Sequence, residues 1–394
     1  MQPAPLVDTY GRVHDNLRIS VTDRCNIRCF YCMPEHDVEF VPRSEILDFE
    51  EIERFVRIAV TLGIVRLRVT GGEPLLRRGL PALIRRLAGI SEIRDLALTT
   101  NGVLLPDLAE PLYEAGLRRI NVHLDTLDRQ RFIQITRRDE LARILAGLDL
   151  CKRLGYSKIK LNAVAVKNLV EPDIVPLARY ARANGFEVRY IEFMPLDAQN
   201  LWDRGKVLLA DEILETLSRE IAPLAPVPDP DLRAPASEYN FADGIGRVGF
   251  IASVSRPFCL SCNRIRLTAD GKLRYCLFAI QEDDVKSLMR SGAPDQEIAA
   301  LIRRNLAGKW EGHEINSAKF VPPPRPMYSI AGATAASSTS GGSTTTDRGA
   351  PGSRPRCASA PPGCRAARRR SWEPAGKTGG HIGARFPTRS QSPG

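Results

Sequence analysis

The chain has 394 residues, 43% apolar and 26% charged, enough to bury a sizeable globular core. Its net charge of +10 would suggest nucleic acid, but residues 331–394 carry ten Arg/Lys against two Asp/Glu, a net +8, which leaves +2 for residues 1–330. No stretch approaches the roughly 18 uninterrupted apolar residues of a membrane span, and residues 1–17 lack the apolar core of a signal peptide. A membrane protein and a basic nucleic-acid domain are thereby excluded, and the expected location is the cytoplasm.

Residues 17–21 read as a strand that runs into Thr22-Asp23-Arg24-Cys25-Asn26-Ile27-Arg28-Cys29-Phe30-Tyr31-Cys32. Cys25, Cys29 and Cys32 stand as C-x3-C-x2-C. Each iron of a cubane cluster normally takes one cysteine thiolate. Three thiolates on one loop therefore hold a four-iron cluster and leave one iron open, much as a catalytic zinc keeps a position for substrate. The competing reading is a zinc knuckle or buried thiols. Zinc sites usually pair two CxxC units or add histidines, and no histidine here is suitably spaced.

Residues 49–62 carry apolar side chains at helical spacing (Ile52, Phe55, Val56, Ala59, Val60) and end at Gly63, a helix C-cap residue. Residues 65–70 alternate as a strand and lead to Gly71-Gly72-Glu73-Pro74, a turn whose glycines let the backbone approach a ligand closely. A helix follows at 80–87, a strand at 96–99, a helix at 106–115 closed by Gly116, and a strand at 120–124. One long helical stretch then reaches Leu154, with Cys151 a small core residue. A strand at 159–166, a helix at 173–184 and a strand at 188–193 complete the series. Residues 221–247, rich in Pro, Asp and Ala, read as a loop. Cys259 and Cys262 form a CxxC, and Cys276 follows as a third ligand with no obvious fourth. This second triad implies a second cluster, with zinc as the alternative. Residues 265–277 read as a hairpin turning at Asp270-Gly271, and 294–306 as a helix.

Six βα units imply an α/β fold with a parallel sheet, an open, partial (β/α)6 TIM-like barrel. Chemistry in such barrels collects at the C-terminal ends of the strands. Cys25, the turn at 71–74, Thr99 to Gly102, Asp125 and Glu192 to Pro195 should share that face. The expected domains are a barrel at 1–220, a C-terminal cluster region at 221–330, and a disordered basic tail at 331–394, in which Cys357 and Cys364 have no ligand role.

The spacing and context of the first triad resemble the radical S-adenosylmethionine (SAM) enzymes. Further strings narrow the resemblance to the GTP 3′,8-cyclase family, lyases of molybdenum cofactor biosynthesis. They are Cys32-Met33-Pro34, Arg68-Val69-Thr70-Gly71-Gly72-Glu73-Pro74, Thr99-Thr100-Asn101-Gly102, Ile191-Glu192-Phe193-Met194-Pro195, Cys262-Asn263-Arg264-Ile265-Arg266-Leu267-Thr268 and Lys309-Trp310-Glu311-Gly312-His313. The resemblance implies two [4Fe-4S] clusters, on Cys25, Cys29 and Cys32 and on Cys259, Cys262 and Cys276. It implies SAM at Tyr31, Gly72, His123 and Met194, and GTP at Arg18, Arg68, Thr99, Lys160, Arg189, Arg264 and Arg266, with Arg266 also catalytic. SAM cleavage would yield a radical that takes hydrogen from ribose C3′, and C3′ would then close on guanine C8. An electron donor such as flavodoxin or ferredoxin and a downstream cyclic pyranopterin monophosphate synthase are implied as partners in a bacterial cytoplasm; a homodimer is left open.

Two departures stand out. His123 occupies a position where the family has serine, and its ring would crowd SAM or replace the serine hydrogen bond. Ala331-Gly332 and 62 further residues stand where the family ends in Gly-Gly. Two other readings remain compatible with the residues: a peptide-modifying radical SAM enzyme with an auxiliary cluster, and an inactive Fe–S homologue.

Overall fold

Alternating apolar strands separated by amphipathic helices form one twelve-stranded sheet in the computed structural model, which describes residues 5–330. These residues lie within one compact unit. The tail expected at 331–394, with Cys357 and Cys364, lies outside the described residues.

Six strands follow the expected order: β1 (Asn16–Ser20), β2 (Arg66–Thr70), β3 (Asp95–Thr100), β4 (Arg119–His123), β5 (Lys158–Ala165) and β6 (Glu187–Glu192). They pair parallel in sequence order, with helices as crossovers. Six more strands come from the C-terminal half: β7 (Leu224–Pro226), β8 (Ser237–Phe241), β9 (Arg247–Ile251), β10 (Arg264–Leu267), β11 (Lys272–Arg274) and β12 (Asp283–Asp284). β10 pairs parallel with β1, and β9 pairs parallel with β6. The sheet therefore runs β12-β11-β10-β1-β2-β3-β4-β5-β6-β9-β8-β7, with antiparallel flanks. The order is linear, which makes the barrel open.

Two expectations change in detail. The loop expected at 221–247 contains β7 and β8, because this segment can satisfy its backbone groups on the free edge of β9. The long helical stretch is two helices, Arg129–Thr136 and Leu141–Arg153. Arg137, at φ +56°, takes the left-handed conformation that ends a helix. The hairpin expected at 265–277 is β10 and β11, turning at Gly271 with φ +76°.

The core lies between the helices and the outer face of the sheet. Leu17, Ile19, Leu67, Val69, Leu98, Ile120 and Leu161 fill it from the strands, and Ile52, Phe55, Val56 and Ala59 from the helix Phe49–Thr61. That helix starts in a reciprocal cap. Asp48 accepts from the Glu51 amide at 2.7 Å, and Glu51 accepts from the Asp48 amide at 2.8 Å. Asp48→Ala is expected to cost about 1 kcal/mol of stability, read as a lower urea midpoint with unchanged cofactor content.

Candidate active site

Strands alternate their side chains across the sheet, so the residues flanking each core leucine or isoleucine face inwards. The inward set lines a cavity of about 380 Å³ at the C-terminal ends of the strands. All six clustered cysteines line it, together with Tyr31, Gly72, His123 and Met194 and with Arg18, Thr99, Arg264 and Arg266.

The first triad sits on the loop after β1. The amides of Cys32 and Met33 donate to the Cys29 carbonyl at 2.9 and 3.0 Å, turning the chain so that the sulfurs face the cavity. The loop is held from beneath by the turn after β2. The Gly72 amide donates to Thr22 O at 2.8 Å, and the Glu73 amide to Arg24 O at 2.7 Å. A Cβ on Gly72 would collide with the carbonyl oxygens of Asp23 and Arg24. The turn needs glycine for this close backbone contact, where the sequence suggested approach to a ligand. Glu73 accepts from the amides of Leu75 and Asn101 and from the Thr100 hydroxyl, at 2.7–2.9 Å, which ties β2 to β3.

Burial pushes the Cys25 thiol up to about 12, with the Glu73 carboxylate adding to the shift. It also pushes Cys32 well above the usual range, assisted by Cys29 and Cys25. Such thiols ionise only when a metal takes the proton's place. In the second triad, burial raises Cys259. Cys262 goes the other way. Burial opposes ionisation there, but the charges of Arg264 and Lys309 outweigh it and bring the thiol down to about 6. Among the described residues no three His, Cys, Asp or Glu side chains converge on a single ion-sized point, and none of the described cysteines is in a disulfide.

His123 closes a polar knot beside the first triad. Its Nε2 contacts the Tyr31 hydroxyl and lies 3.0 Å from Asp125 Oδ2, to which Tyr31 also donates. Asp125 Oδ1 accepts from the Val164 amide at 2.7 Å. Burial disfavours a charged imidazole, but the Asp125 carboxylate wins and holds His123 well above its ordinary value. The knot fastens the cysteine loop to the ends of β4 and β5.

The cations are arranged by register. Arg18 on β1 is level with Arg266 on β10 and with Arg68 on β2. Arg264 lies two residues before Arg266 on the same side of its strand. Arg18 is shifted well below its ordinary value by burial first, then by the charges of Arg266, Arg264 and Arg68. Burial and like charges also lower Arg68 and Arg266, each to about 10. Among the described residues none of these four arginines has an ion pair with a carboxylate. Arg18 Nε, Arg68 Nη1 and Arg264 Nε are buried without a hydrogen-bond partner. Uncompensated charge at partly or fully buried positions is costly, and an anion in the cavity would relieve it. Arginine's fork matches phosphate geometry.

Arg68, Lys160 and Arg189 do not line the cavity. Each lies two residues, roughly 6.6 Å of strand, below a residue that does: Thr70, Asn162 and Ile191. Lys160 pairs with Glu187 at 2.7 Å and Glu238 at 3.3 Å, and Arg189 pairs with the same two carboxylates. Asn101, in the turn that the sequence placed on this face, donates to Asn26 at 2.7 Å and lies 3.7 Å from Cys25 Sγ. Sequence reasoning gave no site role to Ser20, Thr70 and Asn162, which strand alternation from Arg18, Arg68 and Lys160 points to, or to the lining residues Tyr275 and His313.

The Radical SAM superfamily model matches residues 19–181, and the Molybdenum Cofactor Synthesis C model matches residues 186–315. The chain is 48% identical over 333 residues to GTP 3′,8-cyclase of Rhodopirellula baltica, covering 84% of this chain and 93% of that protein. The chain belongs to the GTP 3′,8-cyclase family. GTP 3′,8-cyclase 2 of Mycobacterium bovis is 46% identical, covering 83% of this chain and 92% of the relative. The cyclase family's two model regions divide the site: the first triad falls in the radical SAM part, and the second triad and Arg266 in the C part. The crystal structure of Streptococcus suis SuiB bound to S-adenosylmethionine shares the fold, with TM-score 0.52 at 15% identity, covering 81% of this chain and 78% of SuiB.

Proposed function

We propose that this chain, a radical SAM GTP 3′,8-cyclase of molybdenum cofactor biosynthesis, converts GTP to (8S)-3′,8-cyclo-7,8-dihydroguanosine 5′-triphosphate using two four-iron clusters. The observation that carries the reading is that Arg18, Arg264 and Arg266, which have no carboxylate partner among the described residues, line one cavity with both cysteine triads. A triphosphate supplies several negative charges to pair with them.

Cys25, Cys29 and Cys32 would hold the first cluster, and Cys259, Cys262 and Cys276 the second. When bound, the first cluster and SAM supply the radical chemistry, and the protein supplies orientation and charge. Tyr31, Gly72, His123 and Met194 would line the SAM end. Arg18, Arg264 and Arg266, with Thr99, would grip GTP between the triads. Arg68, Lys160 and Arg189 would set the potential of the cavity floor from one pleat below. A cytoplasmic flavodoxin or ferredoxin would supply electrons, and a cyclic pyranopterin monophosphate synthase would consume the product. No described helix is long and apolar enough to cross a membrane.

The test is anaerobic reconstitution with iron and sulfide, then SAM, GTP and a reductant. The expected protein carries about eight irons per chain, four for each triad, and forms 5′-deoxyadenosine and 3′,8-cyclo-GTP in equal amounts. Stoichiometric zinc on Cys259, Cys262 and Cys276 would reject the two-cluster reading. SAM cleavage without loss of GTP would reject the substrate.

A further inference from the structure

We infer that Lys309 is a positioning residue that raises the reduction potential of the cluster proposed at Cys259, Cys262 and Cys276; the inference rests on that two-cluster reading. Lys309 follows the helix Asp295–Ala307 and its cap Gly308, and it is 4% exposed. Its ammonium donates to the Arg264 carbonyl at 2.9 Å and lies 3.4 Å from Cys262 Sγ. Among the described residues it has no ion pair with a carboxylate. Its buried neighbour His14 is kept neutral, at about 3, by burial and then by the Lys309 charge itself. Asp8, next to His14, is engaged by Arg12 at 2.5 Å. The positive charge is therefore directed at the sulfur and not cancelled.

Arg264 Nη2 approaches the same sulfur at 3.3 Å, so Cys262 receives two cationic donors. Cys25 of the first triad faces the neutral Asn101 amide at 3.7 Å. A cluster gains negative charge on reduction. N–H donors on its thiolates and a nearby cation therefore stabilise the reduced form more than the oxidised one. Lys309 does not line the cavity, so its role separates from substrate contact, unlike that of Arg264.

The experiment is a redox titration of reconstituted holoprotein followed by electron paramagnetic resonance. The second-cluster signal is assigned in a Cys29→Ser background, which retains only the second triad intact. In Lys309→Met the second midpoint should move to more negative potential by about 59 mV, a tenfold smaller equilibrium constant for one-electron reduction. The first midpoint should stay in place. Lys309→Arg, which keeps the charge, should restore most of the shift. Lys309→Gln, which keeps a donor without charge, should fall between and serves if the methionine variant does not hold its cluster. An unmoved second midpoint in protein with both clusters loaded overturns the inference. A chain carrying only four irons, with zinc or nothing on the second triad, overturns the two-cluster reading and the inference with it.

Discussion

Cys29→Ser should abolish SAM cleavage and leave roughly half the iron if, as proposed, each triad holds its own cubane with one thiolate per iron. Cys29 is the most buried of the three ligands at the first site, 7% exposed. Its carbonyl also takes the two amides that turn the loop. The substitution keeps the backbone and removes only the sulfur, so the loop stays in place while the cluster is lost or destabilised. In the second triad Cys259 and Cys262 precede β10 and Cys276 follows β11, so it does not depend on that ligand. Iron and sulfide analysis should give about four irons per chain by the same stoichiometry, and no 5′-deoxyadenosine should form with or without GTP. Full iron content with normal SAM cleavage would remove Cys29 from the first cluster. Loss of all iron would show that the two sites are not independent.

Arg266→Met should lower kcat/KM for GTP by about tenfold or more, since a hydrogen bond to a charged group is worth roughly 1.5–3 kcal/mol. The same change should leave the ligand-free protein at least as stable as before. Arg266 is level with Arg18, and burial and then the Arg264 charge lower its proton affinity. In the absence of an anion these guanidiniums repel one another, and methionine removes one charge while keeping much of the bulk. The expected pattern is an unchanged or raised thermal midpoint without GTP, a smaller stabilisation on adding GTP, and intact iron content. Unchanged kinetics with GTP would move the triphosphate site elsewhere. A clear loss of stability without ligand would show that Arg266 braces the fold.

Much of the site was legible because its chemistry is local. The C-x3-C-x2-C loop, the Gly-Gly turn and the Asn101 turn each follow a strand whose alternation is visible in the residues themselves. The parallel sheet places those turns on one face. The helix from Phe49 was legible for the same reason, from apolar spacing and the glycine at its end, while the reciprocal cap between Asp48 and Glu51 came from the structure. The break at Arg137 was not, since apolar spacing continues on both sides and the left-handed residue is an arginine rather than a glycine.

The sequence by itself determined the two cysteine triads, the βα succession and the arginines available to an anion. Tertiary structure decided which of those arginines are free. β10 returns from the far end of the chain to pair with β1, and this alone puts Arg266 level with Arg18. β8 brings Glu238 to Lys160 and Arg189, which pairs those two cations, while Arg18, Arg68, Arg264 and Arg266 have no carboxylate partner among the described residues. Lys309 gained its contact with Cys262 in the same way, across 47 residues of sequence. Local periodicity specifies which face a side chain takes, because that face depends on neighbours one or two residues away. Whether a charge meets a carboxylate, a thiolate or an open cavity depends on strands paired across long separations, and no short stretch of sequence encodes that.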